Sequence, residues 1–356
     1  MTPLRSIFSA EQIACASQLI RQATNVVILT HLSPDGDAMG SSLAMRLFLE
    51  SIGKHVAVVV PNAFPDFLAW MPSANEDIVY ETQRADADSL LDEADLVICT
   101  DFNDPKRIGS LGDKMLSLSC KKMMIDHHLH PSDFPDLTLS YPSSPSTCEL
   151  VYRLIHSLVP LLHGSLTTDI ATCIYTGMMT DTGNFSFNSN YPEMYQIVGE
   201  LVNLGVNKDA IYNRVYNAYS ADRMRLMGYC LYQKMKIFPE YHTALIYLSR
   251  KELYRFNFQS GDAEGIVNLP LQIKDVYYSC FMREDKVNPT EVELAGGSKT
   301  KIKISLRSQG ERPVNVFAKD VFGGGGHANA SGGEYYGPLP EAVQHFLDNY
   351  QKYFNQ

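Results

Sequence analysis

Along the first half of the chain, compact apolar runs alternate with stretches whose apolar residues recur every three or four positions. NVVILTH (25–31), HVAVVVP (55–61), ADLVICTDF (94–102) and KKMMIDHH (121–128) are runs of β-compatible apolar residues that predict buried strands. EQIACASQLIRQA (11–23) has helical spacing and follows Ser9, with Gln12 three residues on, the pattern of a capping box. SPDGDAMGSS is a turn opening a helix that AMRLFLESIG continues to a glycine stop. CELVYRLIHSL (148–158) and TTDIATCIYTGMMTD (167–181) are also helical in period. Strands alternating with helices predict an α/β fold on a doubly wound, mainly parallel sheet.

In such a sheet, ligands bind beyond the carboxyl ends of the strands. Three of the four runs end there in groups that could do chemistry: His31, Asp101, and the triplet Asp126, His127 and His128. One polar strand end, or one satisfied core histidine, needs no function. Three at the same edge point to a site. The segment HLSPDGDAMGSS places His31, Asp35 and Asp37 on a tight turn that Pro34 and Gly36 allow. The same residues also spell an ordinary Pro-Asp-Gly turn running into a helix cap, and Asp37 suits the positive end of a helix dipole. GMMTDTGNFSF adds Asp181, where a helix gives way to a glycine-containing loop.

Carboxylates at this density repel one another and are driven towards protonation unless cations compensate them. An oxygen-rich set with some imidazole suits Mn²⁺, Mg²⁺ or Fe²⁺ better than thiolate-bound zinc. Two such ions sharing a carboxylate could clamp a phosphate ester and activate water.

Composition narrows the classes. A length of 356 residues predicts two domains. Hydrophobic and charged contents of 45% and 20% are ordinary for a soluble globular protein. No apolar run reaches the length of a membrane span, and MTPLRSIFSAEQ lacks the pattern of a signal peptide. The seven scattered cysteines include no CxxC pair, which predicts reduced thiols and a cytoplasmic location. Residues 1–204 carry 11 Lys+Arg against 24 Asp+Glu, and residues 205–356 carry 19 against 16. The first part therefore needs cations or carries a strongly acidic surface that aids solubility, and the second is the better place for an anion. Neither is basic enough for strong binding to duplex DNA.

Residues 191–206 and 221–238 read as amphipathic helices whose Met and Tyr stripes are core rather than a cofactor box. Residues 206–240 are taken as a helical connector between a domain at 1–205 and a smaller α/β domain at 241–356. The latter begins with the strand YHTALIYLS (241–249), and TEVELAGGSKTKIKISLRS predicts a hairpin turning near Gly296 and Gly297. The run VFGGGGHANASGG (321–333) is poor linker composition. It predicts a loop in which Gly324, Gly325, Gly326 and His327 bring backbone N–H groups and an imidazole to an anion. Arg283 and Arg307 are candidate partners, because guanidinium binds phosphate bidentately and stacks on bases; the alternative for each is an ordinary strand-surface arginine.

Together, HxxxDxD at 31–37, Asp101 after a strand, DHH at 126–128 and TDTG at 180–183 resemble the DHH phosphoesterase family. VFGGGGHANASGG, CFMRED and KISLRS resemble the DHHA1 domain that accompanies it, so the resemblance spans nearly the whole chain. Arrangement and length look most like the stand-alone nano-RNase and pAp-phosphatase type. The resemblance implies two divalent metal ions, Mn²⁺ first, held by His31, Asp35 and Asp101 and by Asp37, Asp101, His127 and Asp181. His128 would contact the scissile phosphate and Asp126 would orient a neighbouring group. The implied substrates are short single-stranded oligonucleotides or small nucleotides such as pAp, with no duplex and no membrane; a homodimer is a compatible assembly. Cyclic di-AMP or pApA phosphodiesterase, pyrophosphatase or exopolyphosphatase chemistry, and a non-catalytic nucleotide sensor are the competing readings.

Overall fold

The computed structural model describes residues 6–259, 261–287, 298 and 300–354. Two compact units divide between Ala218 and Tyr219.

The first unit is built on a six-stranded sheet in the order β3-β2-β1-β4-β5-β6, all parallel. The strands are β1 Asn25–Leu29, β2 His55–Val60, β3 Ile78–Val79, β4 Leu96–Thr100, β5 Lys121–Asp126 and β6 Leu137–Ser140. The helices are α1 Ala10–Gln22, α2 Gly36–Ser51, α3 Arg84–Asp92, α4 Ser110–Ser117, α5 Thr147–Leu162, α6 Thr168–Asp181, α7 Pro192–Asn203 and α8 Lys208–Tyr216. A parallel sheet with both faces covered needs apolar residues at consecutive positions, and β1, β4 and β5 are buried almost throughout. Alternate side chains serve opposite layers. Val26, Ile28, Ile98 and Ile125 pack with residues of α1, α2, α5 and α6. Val27, Leu29, Val97, Cys99 and Met124 pack with Ala87 and Leu91 of α3 and with Leu111 and Met115 of α4. The sheet is doubly wound, as the pattern predicts.

Strand order reverses between β1 and β4, and the connections leaving these two strands diverge there. That divergence opens a crevice at the carboxyl edge. The Ser9 capping box forms as expected, with the Gln12 amide returning to the Ser9 backbone. Strands β3 and β6 are absent from the sequence reading; at two and four residues they hold their conformation through ladder partners rather than local pattern.

The second unit carries a mixed six-stranded sheet in the order β11-β12-β10-β9-β8-β7. Its strands are β7 Lys236–Phe238, β8 Thr243–Leu248, β9 Tyr278–Lys286, β10 Thr300–Ser308, β11 Gly325–His327 and β12 Ala330–Tyr336. Helices α9 Ala221–Tyr229, α10 Arg250–Arg255, α11 Asn315–Phe322 and α12 Leu339–Asn349 accompany it. Cys280, Met282, Ile302, Ile304 and Leu306 face Phe317 of α11 and Phe346 of α12. Ile246, Leu248 and Phe281 face Leu226, Leu253 and Ile266 on the other side.

Two expectations change here. The helix expected over 221–238 stops at Tyr229; a π-turn covers Cys230–Lys234, and Lys236–Phe238 pairs antiparallel with β8. The residues read as a connector divide between the units: α8 belongs to the first, where Ile211 and Val215 join the core, and α9 to the second. Strands β9 and β10 pair antiparallel; in the hairpin expected within 290–308, the first arm and the turn near Gly296 and Gly297 lie outside the described residues.

Asp77 gives a stability test apart from the functional edge. Its side chain is fully buried, 3.7 Å from Arg46, and neither carboxylate oxygen has a hydrogen-bond partner among the described residues. Burial, with the Glu76 charge adding to it and Arg46 opposing it, pushes the carboxyl up to about 8. The folded chain therefore keeps this proton across a range where an unfolded aspartate, with its pKa near 3.9, has lost it. The group costs stability as pH rises from about 4 to 8. Replacing Asp77 with Asn should leave melting nearly unchanged at pH 4. It should stabilise the protein by roughly 1–3 kcal/mol at pH 8–9, seen as a melting-temperature gain that grows with pH.

Candidate metal centre

Each group at the carboxyl edge is delivered by a local device. Strand β1 ends at Leu29, and Thr30 and His31 continue from it, both buried. Asp35 caps α2: its Oδ1 accepts from the N–H groups of Asp37 and Ala38 at 3.0 Å. The turn-and-cap reading of Pro-Asp-Gly is thus realised, and Asp35 still stands 3.9 Å from His31 Nε2. Asp37, in the first turn of α2, is 1% exposed. Asp101 follows β4 with a left-handed backbone (φ 63°), a conformation aspartate tolerates better than most residues. Its N–H still bonds Ile125 of β5, so the ladder holds the residue as the chain turns away. Asp181 is the last residue of α6, before Gly183 at φ 54°.

These side chains converge. His31 Nε2 lies 3.3 Å from Asp101 Oδ2. His127 Nε2 lies 3.5 Å from Asp101 Oδ1, 3.4 Å from Asp181 Oδ2 and 3.9 Å from Asp37 Oδ2. The two oxygens of Asp101 therefore face different neighbours, one the His31–Asp35 side and the other the His127 side. All six expected ligand residues are brought together.

The histidines are aimed. His31 Nδ1 is 2.9 Å from the Leu32 carbonyl and His127 Nδ1 is 3.1 Å from the Ser144 carbonyl. A carbonyl only accepts, so Nδ1 carries the proton in each neutral ring and Nε2 turns its lone pair towards the acids. This is the tautomer-fixing contact that metal-ligating histidines ordinarily have. His128 differs. Its Nδ1 is 2.7 Å from Asp126 Oδ1, and its backbone N–H donates to Asp126 Oδ2, also at 2.7 Å. The fully buried Asp126 thus holds the ring of His128.

Electrostatics point the same way. Burial, reinforced by Asp101 and Asp181, pushes the Asp37 carboxyl well above its usual range. For Asp101 burial also acts upwards, but the His31 hydrogen bond and the charges of His128, His31 and His127 outweigh it and hold the carboxyl low. Burial lowers His31, and its bond to Asp101 with the Asp35 and Asp101 charges reverses that to a net rise. Burial also lowers His128 and prevails over Asp126, with Arg107 acting in the same direction. Acids gathered at this density suit divalent cations. Donor atoms of His31, Asp35 and Asp101 lie within 4.8 Å of one another, as do those of Asp37, Asp101 and His127. The donor set fits two oxygen-preferring ions.

Two contributors escaped the sequence reading. The N-terminal turn of α5 grips Asp37 and Asp101: Thr147 N–H donates to Asp37 Oδ2 at 2.6 Å, Cys148 N–H to Asp37 Oδ1 at 2.9 Å, and the Thr147 hydroxyl to Asp101 Oδ1 at 2.9 Å. The signal was present in Ser146, Thr147 and Glu149, a common helix-start pattern that says nothing of what the turn faces. Arg107 is the other, a cation whose field reaches both His31 and His128.

In the second unit, Arg283 lies opposite Lys303 across β9 and β10, 3.5 Å from Asp285 and over the Phe258 ring. Arg307 lies opposite Ser279 and Ala330, and its guanidinium donates to the Leu306 carbonyl. The glycine run is not the loop expected. Gly323 caps α11, and Gly325, Gly326 and His327 form the edge strand β11 against Gly332, Ser331 and Ala330 of β12. A Cβ at Gly326 would come within 2.5 Å of the Ala330 carbonyl, at φ 138°. Close backbone packing thus accounts for part of the glycine requirement.

Residues 25–178 match the DHH family N-terminal domain, and residues 245–356 match the DHHA1 domain. A solved exopolyphosphatase-related protein from Bacteroides fragilis is 47% identical, covers 98% of each chain and superposes with a TM-score of 0.88. The chain belongs to the DHH family. It is a DHH phosphoesterase, a hydrolase, and carries a DHHA1 domain. The bifunctional oligoribonuclease and PAP phosphatase NrnA of Thermus thermophilus is 28% identical over 324 residues, covering 91% of this chain and 88% of that protein. The NrnA of Bacillus subtilis is 25% identical over 328 residues, covering 90% and 93%. No helix among the described residues of this DHH protein is long and apolar enough to cross a membrane.

The helix contact behind Asp37 is testable. A Cβ on Gly177 of α6 would stand 2.8 Å from Asp37 Oδ1 and overlap Cys148 Sγ. Gly177→Ala should destabilise the protein by ~1–3 kcal/mol through overpacking. It should also weaken Mn²⁺ binding, read by thermal melting and by metal titration of the same preparation.

Proposed function

We propose that the protein hydrolyses short 5′-phosphorylated oligonucleotides to nucleoside monophosphates, and pAp to AMP and phosphate, using two divalent ions. The observation that carries the metal-dependent part is the aim of the imidazoles: His31 and His127 each have Nδ1 tied to a carbonyl and Nε2 turned on a different oxygen of Asp101. The substrate class is supported by the two relatives named as oligoribonuclease and PAP phosphatase, each aligned over about nine-tenths of this chain.

In this reading, His31, Asp35 and Asp101 hold one ion, and Asp37, Asp101, His127 and Asp181 hold the other, with Asp101 common to both. Mn²⁺ is the first choice for such donors, with Mg²⁺ or Fe²⁺ also compatible. When bound, the ions would offset the charge of the scissile phosphate and acidify the attacking water. The chain's own groups do the rest. Asp126 fixes His128 with Nδ1–H on its carboxylate, so Nε2 is the atom presented to substrate. Burial and Arg107 favour the neutral ring in the free protein, so Nε2 donates to a phosphoryl oxygen once it has taken up a proton, which the negative charge of a bound phosphate and of Asp126 favours. Arg107 adds positive field at His31 and His128, which favours an anionic ligand there. In the second unit, Arg283, Arg307 and Gly324 to His327 are the groups proposed to recognise nucleotide phosphate and base. Water adds to phosphorus as the ester P–O bond breaks, and the leaving oxygen takes a proton.

The test offers purified protein with Mn²⁺ pAp, 5′-pApA, cyclic di-AMP, pyrophosphate and polyphosphate side by side. AMP release from pAp and pApA should dominate. Asp101→Ala should reduce it by at least ~10²–10³-fold. Turnover of polyphosphate or pyrophosphate alone would overturn the substrate assignment. Asp126→Asn should lower kcat by ~10–100-fold with a smaller effect on Mn²⁺ binding, because among the described residues its carboxylate hydrogen-bonds His128 and none of the proposed ligands.

A further inference from the structure

We infer that Thr147 is a positioning residue for Asp101, and that its hydroxyl controls occupancy of the ion site on the His127 side. The inference rests on the two-ion reading given above. Thr147 is fully buried at the first position of α5. Its hydroxyl donates to Asp101 Oδ1 at 2.9 Å, while its own N–H donates to Asp37 Oδ2 at 2.6 Å. One residue thereby ties together an acid from the end of β4 and an acid from the first turn of α2.

The grip is one-sided. Oδ1, the oxygen Thr147 holds, is the one 3.5 Å from His127. Oδ2, which faces His31 at 3.3 Å, receives nothing from α5. Asp37 belongs to the same side: it accepts from Thr147 and Cys148 and lies 3.9 Å from His127. Four bonds from neighbouring groups thus orient the His127-side donors: three from the α5 turn, and one between His127 Nδ1 and the Ser144 carbonyl. On the His31 side, Asp35 is oriented by α2 and His31 by Leu32. Without the hydroxyl, Oδ2 of Asp101 keeps its contact with His31 while Oδ1 loses its donor from α5, so the carboxylate can pivot about Oδ2. Its Oδ1 then loses the direction that an ion shared with His127 and Asp37 needs. Partners of metal ligands commonly control affinity in this way.

The test titrates Mn²⁺ into metal-free full-length wild-type protein and into Thr147→Val, Thr147→Ala and Thr147→Ser by calorimetry, with melting curves of each metal-free form. His31→Ala and His127→Ala isotherms assign the two binding steps. Val and Ala should weaken the His127-assigned step by ~10–100-fold and leave the other within about threefold. Ser, which keeps the hydroxyl, should bind like wild type. Ser also keeps the test decisive if Val or Ala melts early: a serine variant that weakens the step as they do would make packing the cause and overturn the inference. Equal weakening of both steps by Val and Ala, or no weakening, would overturn it as well. Wild-type protein that fails to bind two Mn²⁺ ions would overturn the two-ion reading itself, and the role of Thr147 with it.

Discussion

Mutual repulsion among buried carboxylates is the constraint on which the functional end of this fold is organised. Asp37 and Asp101 are almost fully buried, and both stand within 4 Å of the same imidazole nitrogen. Two like charges at 4 Å oppose each other by about 4 kcal/mol at an effective dielectric of 20. The chain meets that with donors: three imidazoles, and the N-terminal turn of α5, where backbone N–H groups and the positive end of a helix dipole meet. Much of the nearby packing follows. Helices α2 and α6 approach through Gly36, Gly40 and Gly177, and a Cβ at Gly40 would come within 2.6 Å of the Cys173 carbonyl. The left-handed turn at Asp101 lets β4 end with its carboxylate between His31 and His127.

The sheet makes such crowding feasible. Parallel strands deliver their carboxyl ends to one edge, and the order reversal between β1 and β4 parts the loops that would otherwise cover it. His31, Asp101 and the triplet at 126–128 were legible because each follows an apolar run whose direction and end can be read directly. Asp35, Asp37 and Asp181 were legible as a set through motif spacing rather than through period.

What escaped the sequence was structure that partners impose from a distance. Two-residue β3 and four-residue β6 have too few positions to show a period, and their ladders with β2 and β5 decide their state. Residues 230–238 carry helical spacing, yet Lys236–Phe238 becomes an edge strand because β8 offers a free ladder. The glycine run followed the same logic: a plausible anion loop by composition, it folds as an edge strand pressed against β12. Thr147 was hidden for a different reason. Serine or threonine before a helix is explained locally by capping, so nothing in the sequence shows that this turn faces two acids.

The names of the relatives pull towards two chemistries, nucleotide and polyphosphate, and the candidate metal-binding edge alone does not choose between them. Any phosphate ester or anhydride presents the same oxygens to such a centre. Discrimination has to come from groups that meet the rest of the substrate. A polyphosphate chain offers only charge, which flexible lysines match as point charges, whereas a nucleotide adds a planar base and a sugar. In the second unit, the Arg283 guanidinium lies over the Phe258 ring, 5.4 Å from its centroid, and across from Lys303. Burial lowers the basicity of both cations; Arg283 lowers Lys303 further, and Asp285 opposes the shift in each. A half-buried guanidinium backed by an aromatic ring is a planar surface as well as a charge. Under the proposed function, that combination would suit a phosphate attached to a base better than a string of phosphates.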